Sequence, residues 1–367
     1  MKRIIYITIL ALMLLAACTK PSPAPAPAPE QYDRYIFFSH SVETKAELVE
    51  DAAGLNEKSF GVVGFKYDFD KTWETEKATA TPNVFADTPE TVDVSAQGTT
   101  AEYAPLQGWS NNKKYTFFAF YPHMPLVNLD GSTPYNGGVP AIKYTMSLNS
   151  EDPTDGATLK ASMDDVMTAP AHVDKFWKSS AQNENNVPKG EINFDFSHRL
   201  ACLGLKITNQ SSGDIKIDGV TVTVSGIKYQ ELIIPLDNTS TVTAPNNPTG
   251  ITLNSVSFNL DPTLNLQEGQ TELLISSYAS KELDDKLIFI PQEEDLSIEL
   301  TIKYTRKKVN SYTGYNDEFT TQVLTTKLIQ GQKHLIKLKF TDSTVEVNGK
   351  VSEEGWVEIP DVNSSFK

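Results

Sequence analysis

From Leu296 to Tyr304 the chain reads Leu-Ser-Ile-Glu-Leu-Thr-Ile-Lys-Tyr, with an apolar residue at every second position. A two-residue period puts its members on one face only in an extended strand, so this stretch has one buried side and one wet side. The pattern recurs: Val220, Val222 and Val224 alternate with Thr221 and Thr223, and Ile336, Leu338 and Phe340 with Lys337 and Lys339. Turn-forming clusters punctuate these runs at Ser211-Ser212-Gly213-Asp214, Asn246-Asn247-Pro248 and Asp284-Asp285. Short strands at such spacing, each with one polar face, imply antiparallel sheets packed as β-sandwiches in an all-β chain. One helix competes, at Glu43 to Ala53, where Ala46, Val49 and Ala53 share a side.

Other stretches depart from simple alternation. Lys114 to Tyr121 (KYTFFAFY) is aromatic on both faces, which predicts burial on both, and Pro122 ends it. Tyr35 to Val42 opens with the apolar run Tyr35-Ile36-Phe37-Phe38 and reads as the first strand. Phe60 to Phe69 reads as another, with Gly61 and Gly64 as bulge points. Asn128 to Pro188 is rich in Asn, Ser, Asp, Gly and Pro, and much of it reads as loop. The most linker-like piece, Ser179 to Gly190, sets a division into two β-sandwiches, 32–185 and 186–367. In Ile192 to Asn209 the apolar phase changes between Leu200 and Leu203, as a bulge or sharp bend would require.

The N-terminus is a targeting signal rather than structure. Basic Lys2 and Arg3 precede the apolar run Ile4 to Leu15, which is shorter than the about 20 residues that span a bilayer. It ends Leu15-Ala16-Ala17-Cys18, which resembles the lipobox of bacterial lipoproteins. Residues 1–17 would be a signal peptide, and Cys18 would carry the lipid that holds the protein to a membrane. Residues 18–31 would then be a spacer, whose Pro21 to Pro29 (PSPAPAPAP) favours polyproline II and would reach roughly 28 Å. With Cys18 lipidated, Cys202 is the sole remaining cysteine and no intramolecular disulfide can form.

Composition narrows function. Acidic residues outnumber basic ones 47 to 32, for a formal charge of -15, which excludes a nucleic-acid partner that needs a basic face. The sequence has no HExxH, CxxC, GxSxG or phosphate-cradling motif among its five histidines, two cysteines and twenty glycines. This points to neither a catalytic constellation nor a metal or cofactor. His198 and Cys202 stand four residues apart, about 13 Å along a strand, too far for a nucleophile–base pair. They read as a structural histidine beside a buried thiol. The acidic pairs Asp68/Asp70, Asp164/Asp165, Asp284/Asp285 and Glu293/Glu294 read as solvated surface, and Asn128 to Gly131 as a turn. Trp73, Trp109, Trp177 and Trp356 read first as packing residues.

Four features together resemble the fimbrillin family of pilus and adhesion lipoproteins: Cys18 in its lipobox, FFAFYP at Phe117 to Pro122, FDFSHRLACLGLKI at Phe194 to Ile207, and GQKHLIKLKF followed by GWVEI across Gly331 to Ile359. The resemblance implies two tandem transthyretin-like antiparallel β-sandwich domains on a non-enzymatic protein of the outer membrane or cell surface. It further implies assembly with other fimbrial subunits by β-strand donation. A trypsin-like protease would cut between Lys45 and Ala46, with Arg34 a second choice. The first strand, Tyr35 to Val42, would leave, and a C-terminal strand of another subunit would fill its place. Val345 to Val347, or Trp356, Val357 and Ile359, would supply that donor. A short polar tail after Ile359 leaves stalk, anchor and tip roles open, as it does the host or bacterial receptor. The alternative is a surface glycan-binding lipoprotein for nutrient capture, which needs an exposed aromatic platform at Trp109 or Trp177. A hydrolase with paired carboxylates is the third reading.

Overall fold

The structure, a computed structural model, describes residues 34–42, 58–94, 100–146, 165–178, 185–228, 231–237, 253–260, 271–283, 287–291, 294–306, 315–320, 323–347 and 352–355. The first half carries β1 (Phe37–Val42), β2 (Ser59–Asp68), the one-turn helix α1 (Trp73–Glu76), β3 (Glu90–Val94), β4 (Thr100–Glu102) and β5 (Lys113–Tyr121). It continues with β6 (Leu126–Val127), β7 (Ala141–Thr145), β8 (Met167–Thr168) and β9 (His172–Lys175). Then come β10 (Glu191–His198), β11 (Ala201–Asn209), β12 (Ile215–Ile227), β13 (Glu231–Pro235), β14 (Leu253–Leu260), β15 (Leu273–Ile275), β16 (Ser280–Glu282) and β17 (Leu287–Phe289). The last are β18 (Leu296–Arg306), β19 (Tyr315–Thr320), β20 (Leu324–Thr326), β21 (Gln332–Phe340), β22 (Val345–Val347) and β23 (Ser352–Gly355). The chain is all-β, as its alternation requires. The helix expected at Glu43 to Ala53 lies outside the described residues.

The first sheet runs β2-β3-β4-β1-β10-β8-β5-β9, and β5 also pairs with β2. Seven of its eight strands therefore form a closed ring, with β9 attached to β5 outside it. Closure leaves no unpaired edge within the ring. Its interior holds Phe38, Phe60, Val92, Trp109, Tyr115, Phe117, Phe194 and Phe196, all almost wholly buried.

The doubly apolar β5 is explained by what lies on its two sides. Tyr115, Phe117 and Ala119 face the ring interior. Phe118 and Phe120 belong to a second apolar cluster that continues through β7 and β13 into the C-terminal half. Gly61 and Gly64 in β2 are not bulges, because the β2–β5 register runs unbroken from Gly61 to Asp68. They leave room instead: a Cβ on Gly61 would meet the Phe120 ring at 2.6 Å, and one on Gly64 would meet Val84 at 2.8 Å.

In the C-terminal half one sheet runs β16-β11-β21-β22, with β17 on β11 and β23 on β21. The other runs β14-β12-β18-β19, with β15 on β12 and β20 on β18. Leu205 and Ile207 from the first sheet and Val222, Ile298 and Leu300 from the second share one buried cluster, the interior of a sandwich. Tyr304 meets Phe340 edge-on across it, with ring centroids 4.9 Å apart. In β18 every second residue from Leu296 to Tyr304 is buried, as the pattern predicts.

Three features differ from the sequence reading. Two pairings are parallel, β1 with β10 and β11 with β21, where antiparallel sheets were expected. Alternation fixes which face is buried but not the direction of a partner some 150 residues away. The Asn- and Ser-rich middle contains β7 to β9, too short for a periodic signal. Finally, β10 falls after the expected division but pairs with β1 and β8 of the first sheet. The chain crosses to the C-terminal sheets at Arg199–Leu200, where the apolar phase slips. A small third element of contact is the sheet β13-β7-β6, which joins strands of the two halves.

Candidate functional site

The first strand lies inside the ring, not at a free edge. On one side β1 pairs antiparallel with β4, with Phe38 opposite Ala101 and Ser39 opposite Thr100. On the other it runs parallel to β10 for its full length, from Phe37 opposite Glu191 to Val42 opposite Phe196. Inward-facing Ile36, Phe38 and His40 are at most 2% exposed. The Phe38 ring touches four others: Tyr103 at 5.2 Å, Phe194 at 5.5 Å, Phe117 at 5.8 Å and Phe85 at 6.2 Å between centroids. His40 lies 6.1 Å from the Phe60 ring.

The other face of β1 sets its register with polar groups. Ser39 donates to Asn193 at 3.1 Å, and Ser41 donates to the Asp195 carboxylate. Each serine sits directly opposite its partner, so a one-residue slip would break both bonds and turn Phe38 outward.

The start of the strand is pinned as well. The Ile36 N–H donates to the Gln107 carbonyl at 2.9 Å, and the Tyr103 hydroxyl to the Ile36 carbonyl at 3.1 Å. The Arg34 guanidinium donates to the Lys189 carbonyl at 2.7 Å and lies 5.6 Å from the Phe37 ring centroid. Gly190 has φ +73°, and a Cβ there would fall 2.8 Å from Arg34 Cγ and 2.9 Å from the Tyr35 carbonyl oxygen. Only glycine accommodates that backbone turn and that approach together.

The geometry defines what loss of β1 would create. The ring would open into a slot bounded by β4 and β10, each with unpaired backbone groups, over a floor of Phe60, Tyr103, Phe117 and Phe194. Such a slot accepts any extended segment that offers an apolar residue at alternate positions.

A buried polar knot lies at the crossing from β10 to β11. His198 Nδ1 bonds to the Asp165 carboxylate, and both side chains are at most 3% exposed. Arg199 donates through Nε to the Thr168 hydroxyl, and its backbone N–H to the Val166 carbonyl at 2.7 Å. Burial lowers the Arg199 pKa from its ordinary value, and the charge of Asp237 opposes that shift. Gly331 donates to the Leu200 carbonyl at 2.9 Å, tying the start of β21 to the crossing. Asp165 therefore corrects the surface reading given to the Asp164/Asp165 pair; its apolar neighbours Val166 and Met167 were the available signal.

The sequence profile of the fimbrillin-like family matches residues 59–356. The chain belongs to the fimbrillin-like family. Among solved structures, a fimbrial protein from Bacteroides vulgatus ATCC 8482 superposes with a TM-score of 0.52 at 21% identity, covering 89% of this chain and 100% of that one. A protein proposed to act in cell adhesion, from Bacteroides ovatus ATCC 8483, superposes with a TM-score of 0.50 at 15% identity, covering 90% and 100%. These likenesses are of fold. No curated protein matches the sequence.

In this fimbrillin-like chain the predicted site residues Cys18, Lys45, Ala46, Trp356, Val357 and Ile359 lie outside the described residues. Lys45 and Ala46 fall in sequence between β1, ending at Val42, and β2, starting at Ser59. Arg34, by contrast, is held by the contacts at the start of β1. Val345 to Val347, one of the two donor candidates, is β22 and pairs with β21 of its own chain. β23 pairs with β21 too and ends at Gly355, immediately before Trp356. Cys202 is buried in β11, and His198 is committed to Asp165. Trp109, a candidate platform of the glycan reading, is 2% exposed and donates through Nε1 to the Gly190 carbonyl at 3.1 Å, so it offers no surface. Trp177 is half-buried.

Proposed function

We propose that this chain is a fimbrial or cell-adhesion subunit of the cell surface, and that the position of β1 is its assembly site. Family membership supports the fimbrial role, and the description of the B. vulgatus relative as a fimbrial protein agrees with it. The observation that carries the strand-exchange mechanism is the place of β1 in the ring. β1 is paired on both sides, yet only residues 43–58, which include Lys45, connect it to β2. One cut after Lys45 would leave β1 held by non-covalent contacts alone. A strand from another copy could then replace it without disturbing the remaining six ring strands.

The slot would take an extended segment in the manner of β-augmentation, with main-chain hydrogen bonds for affinity and alternate side chains for register. A head-to-tail contact of this kind does not close and builds a filament. Trp356, Val357 and Ile359, which directly follow β23, remain the proposed donor residues, whereas β22 is already engaged. Before the cut, lipid on Cys18 would hold the protein at the outer membrane. In this reading the chain comprises two β units that meet at Arg199–Leu200.

The test is limited cleavage of the purified full chain with a trypsin-like protease, followed by native sizing and denaturing electrophoresis without heating. The proposal expects loss of the fragment ending at Lys45, together with a ladder of oligomers. A cut chain that keeps its first strand and stays monomeric contradicts it.

A further inference from the structure

A second surface lies on the outside of the ring, where β1 enters it. Seven large apolar side chains are exposed among the described residues, and three of them fall together here: Tyr35 at 47%, Phe37 at 39% and Leu106 at 43%. Tyr35 bridges antiparallel to Gly108, so by the two-residue period Phe37 and Leu106 share its outer face. Ile36, between the two aromatic residues, points the other way into the ring core. Ala104 and Pro105, next to Leu106, are exposed as well. The Arg34 guanidinium lies 5.6 Å from the Phe37 ring centroid, and the ring is 39% exposed with that cation in place. Single exposed apolar residues are ordinary on a protein surface, whereas a group of them at one place marks a contact.

Carboxylates border this patch. Glu191 of β10 lies directly opposite Phe37, and Asp93 of β3 directly opposite Glu102 of β4. All three sit on the outer face, because their chain neighbours Val92, Val94, Ala101, Tyr103 and Ile192 are buried. All three are exposed, and none has an ion pair among the described residues. Like charges directly opposite on adjacent strands destabilise a sheet. Asp93 and Glu102 therefore weaken the ring, and its own described residues supply no counter-ion.

We propose that this patch docks a polypeptide segment of another protein, one that carries lysine or arginine side chains around an apolar centre. The apolar centre covers Tyr35, Phe37 and Leu106. The cationic heads meet Asp93, Glu102 and Glu191, while their alkyl stems lie along the apolar surface. Charge complementarity selects this occupant, since an anionic lipid surface would face three carboxylates of its own sign. The patch is on the outer face of the ring, and docking does not require strand exchange. Tyr35 and Phe37 precede Lys45, so under the exchange reading the patch belongs to the uncut chain, and its partner meets the subunit before assembly.

Fluorescence anisotropy with the purified full chain at low salt tests it, the probe being a labelled short peptide that alternates leucine and lysine. The comparison probes are an alternating leucine–glutamate peptide, an alternating serine–lysine peptide and, by co-sedimentation, phosphatidylcholine vesicles. The expected result is binding of the leucine–lysine peptide alone, weakened by added salt. Leu106→Ser should weaken binding about five-fold and Glu102→Lys about ten-fold. In Glu102→Lys the opposed Asp93 gains a partner of opposite sign, so the urea midpoint should not fall, which separates lost docking from lost fold. Val323→Ser and Glu299→Lys make the same kinds of change at exposed positions in the C-terminal half and should have no effect. No binding of the leucine–lysine peptide, equal binding of any comparison probe, or an unchanged affinity in Leu106→Ser or Glu102→Lys overturns the inference.

Discussion

Truncating Phe38 to alanine isolates what the first strand contributes to the ring. Phe38 is 2% exposed and packs against four aromatic rings, so its loss removes buried area and leaves a cavity that Tyr103, Phe117 and Phe194 cannot fill without moving. Phe→Ala at such a site costs about 3–5 kcal/mol, a large share of the roughly 5–15 kcal/mol by which domains are stable. With a urea m-value of about 3 kcal/mol/M, the midpoint should fall by roughly 1–1.7 M. The neighbouring Phe37→Ala provides the control. Phe37 is 39% exposed and has the Arg34 guanidinium 5.6 Å from its ring, so its cost should stay below about 1 kcal/mol. Urea unfolding followed by tryptophan fluorescence reads both, because Trp109 is buried in the ring 4.9 Å from Tyr115. A midpoint for Phe38→Ala within about 0.3 M of the parent, equivalent to about 1 kcal/mol, would refute the reasoning, as would equal losses for both variants.

Three other outcomes follow from the same contacts. Gly190→Ala places a methyl group against the Tyr35 carbonyl and the Arg34 side chain at φ +73°; it should cost about 1–3 kcal/mol and raise hydrogen exchange at the start of β1. Asp165→Ala deprives the buried His198 Nδ1 of its partner and should cost about 1–3 kcal/mol in urea unfolding, whereas Asp164→Ala, next to it in sequence, tests whether the effect is specific. Burial is the main cause that lowers the His172 pKa below its ordinary 6.5. The unfolded chain then binds the proton more readily, so this residue's contribution to stability is present above pH 6.5 and is lost as pH falls from there through the folded-state value. His172→Gln should reduce the acid-side slope of the urea midpoint across that window, and an unchanged slope would count against the assignment.

Where burial was one-sided, the sequence was a reliable guide. The alternation in Leu296 to Tyr304 is reproduced residue for residue in β18, and the double burial of KYTFFAFY follows from a strand that separates two cores. The phase slip at Leu200 to Leu203 marked the passage from one sheet to another. What stayed hidden depends on contacts between distant segments. The parallel pairing of β1 with β10, and hence the closed ring, has no local signature. The bond from Asp165 to His198 spans 33 residues, and an aspartate looks the same in sequence whether it is solvated or buried. Gly61 and Gly64 stand out in the sequence, but their purpose lies in the side chains of Phe120 and Val84, which only the folded structure brings near. The first strand itself was legible as an apolar run; its central position in the ring, which makes it a candidate assembly site, was not.

Mass spectrometry of the mature N-terminus, on chains recovered from assembled surface fibres, tests the central claim most directly. Strand exchange at the β1 slot predicts polymerised chains that begin at Ala46 and lack residues 34–42. Assembled chains that still begin at an acylated Cys18 and retain β1 would contradict it.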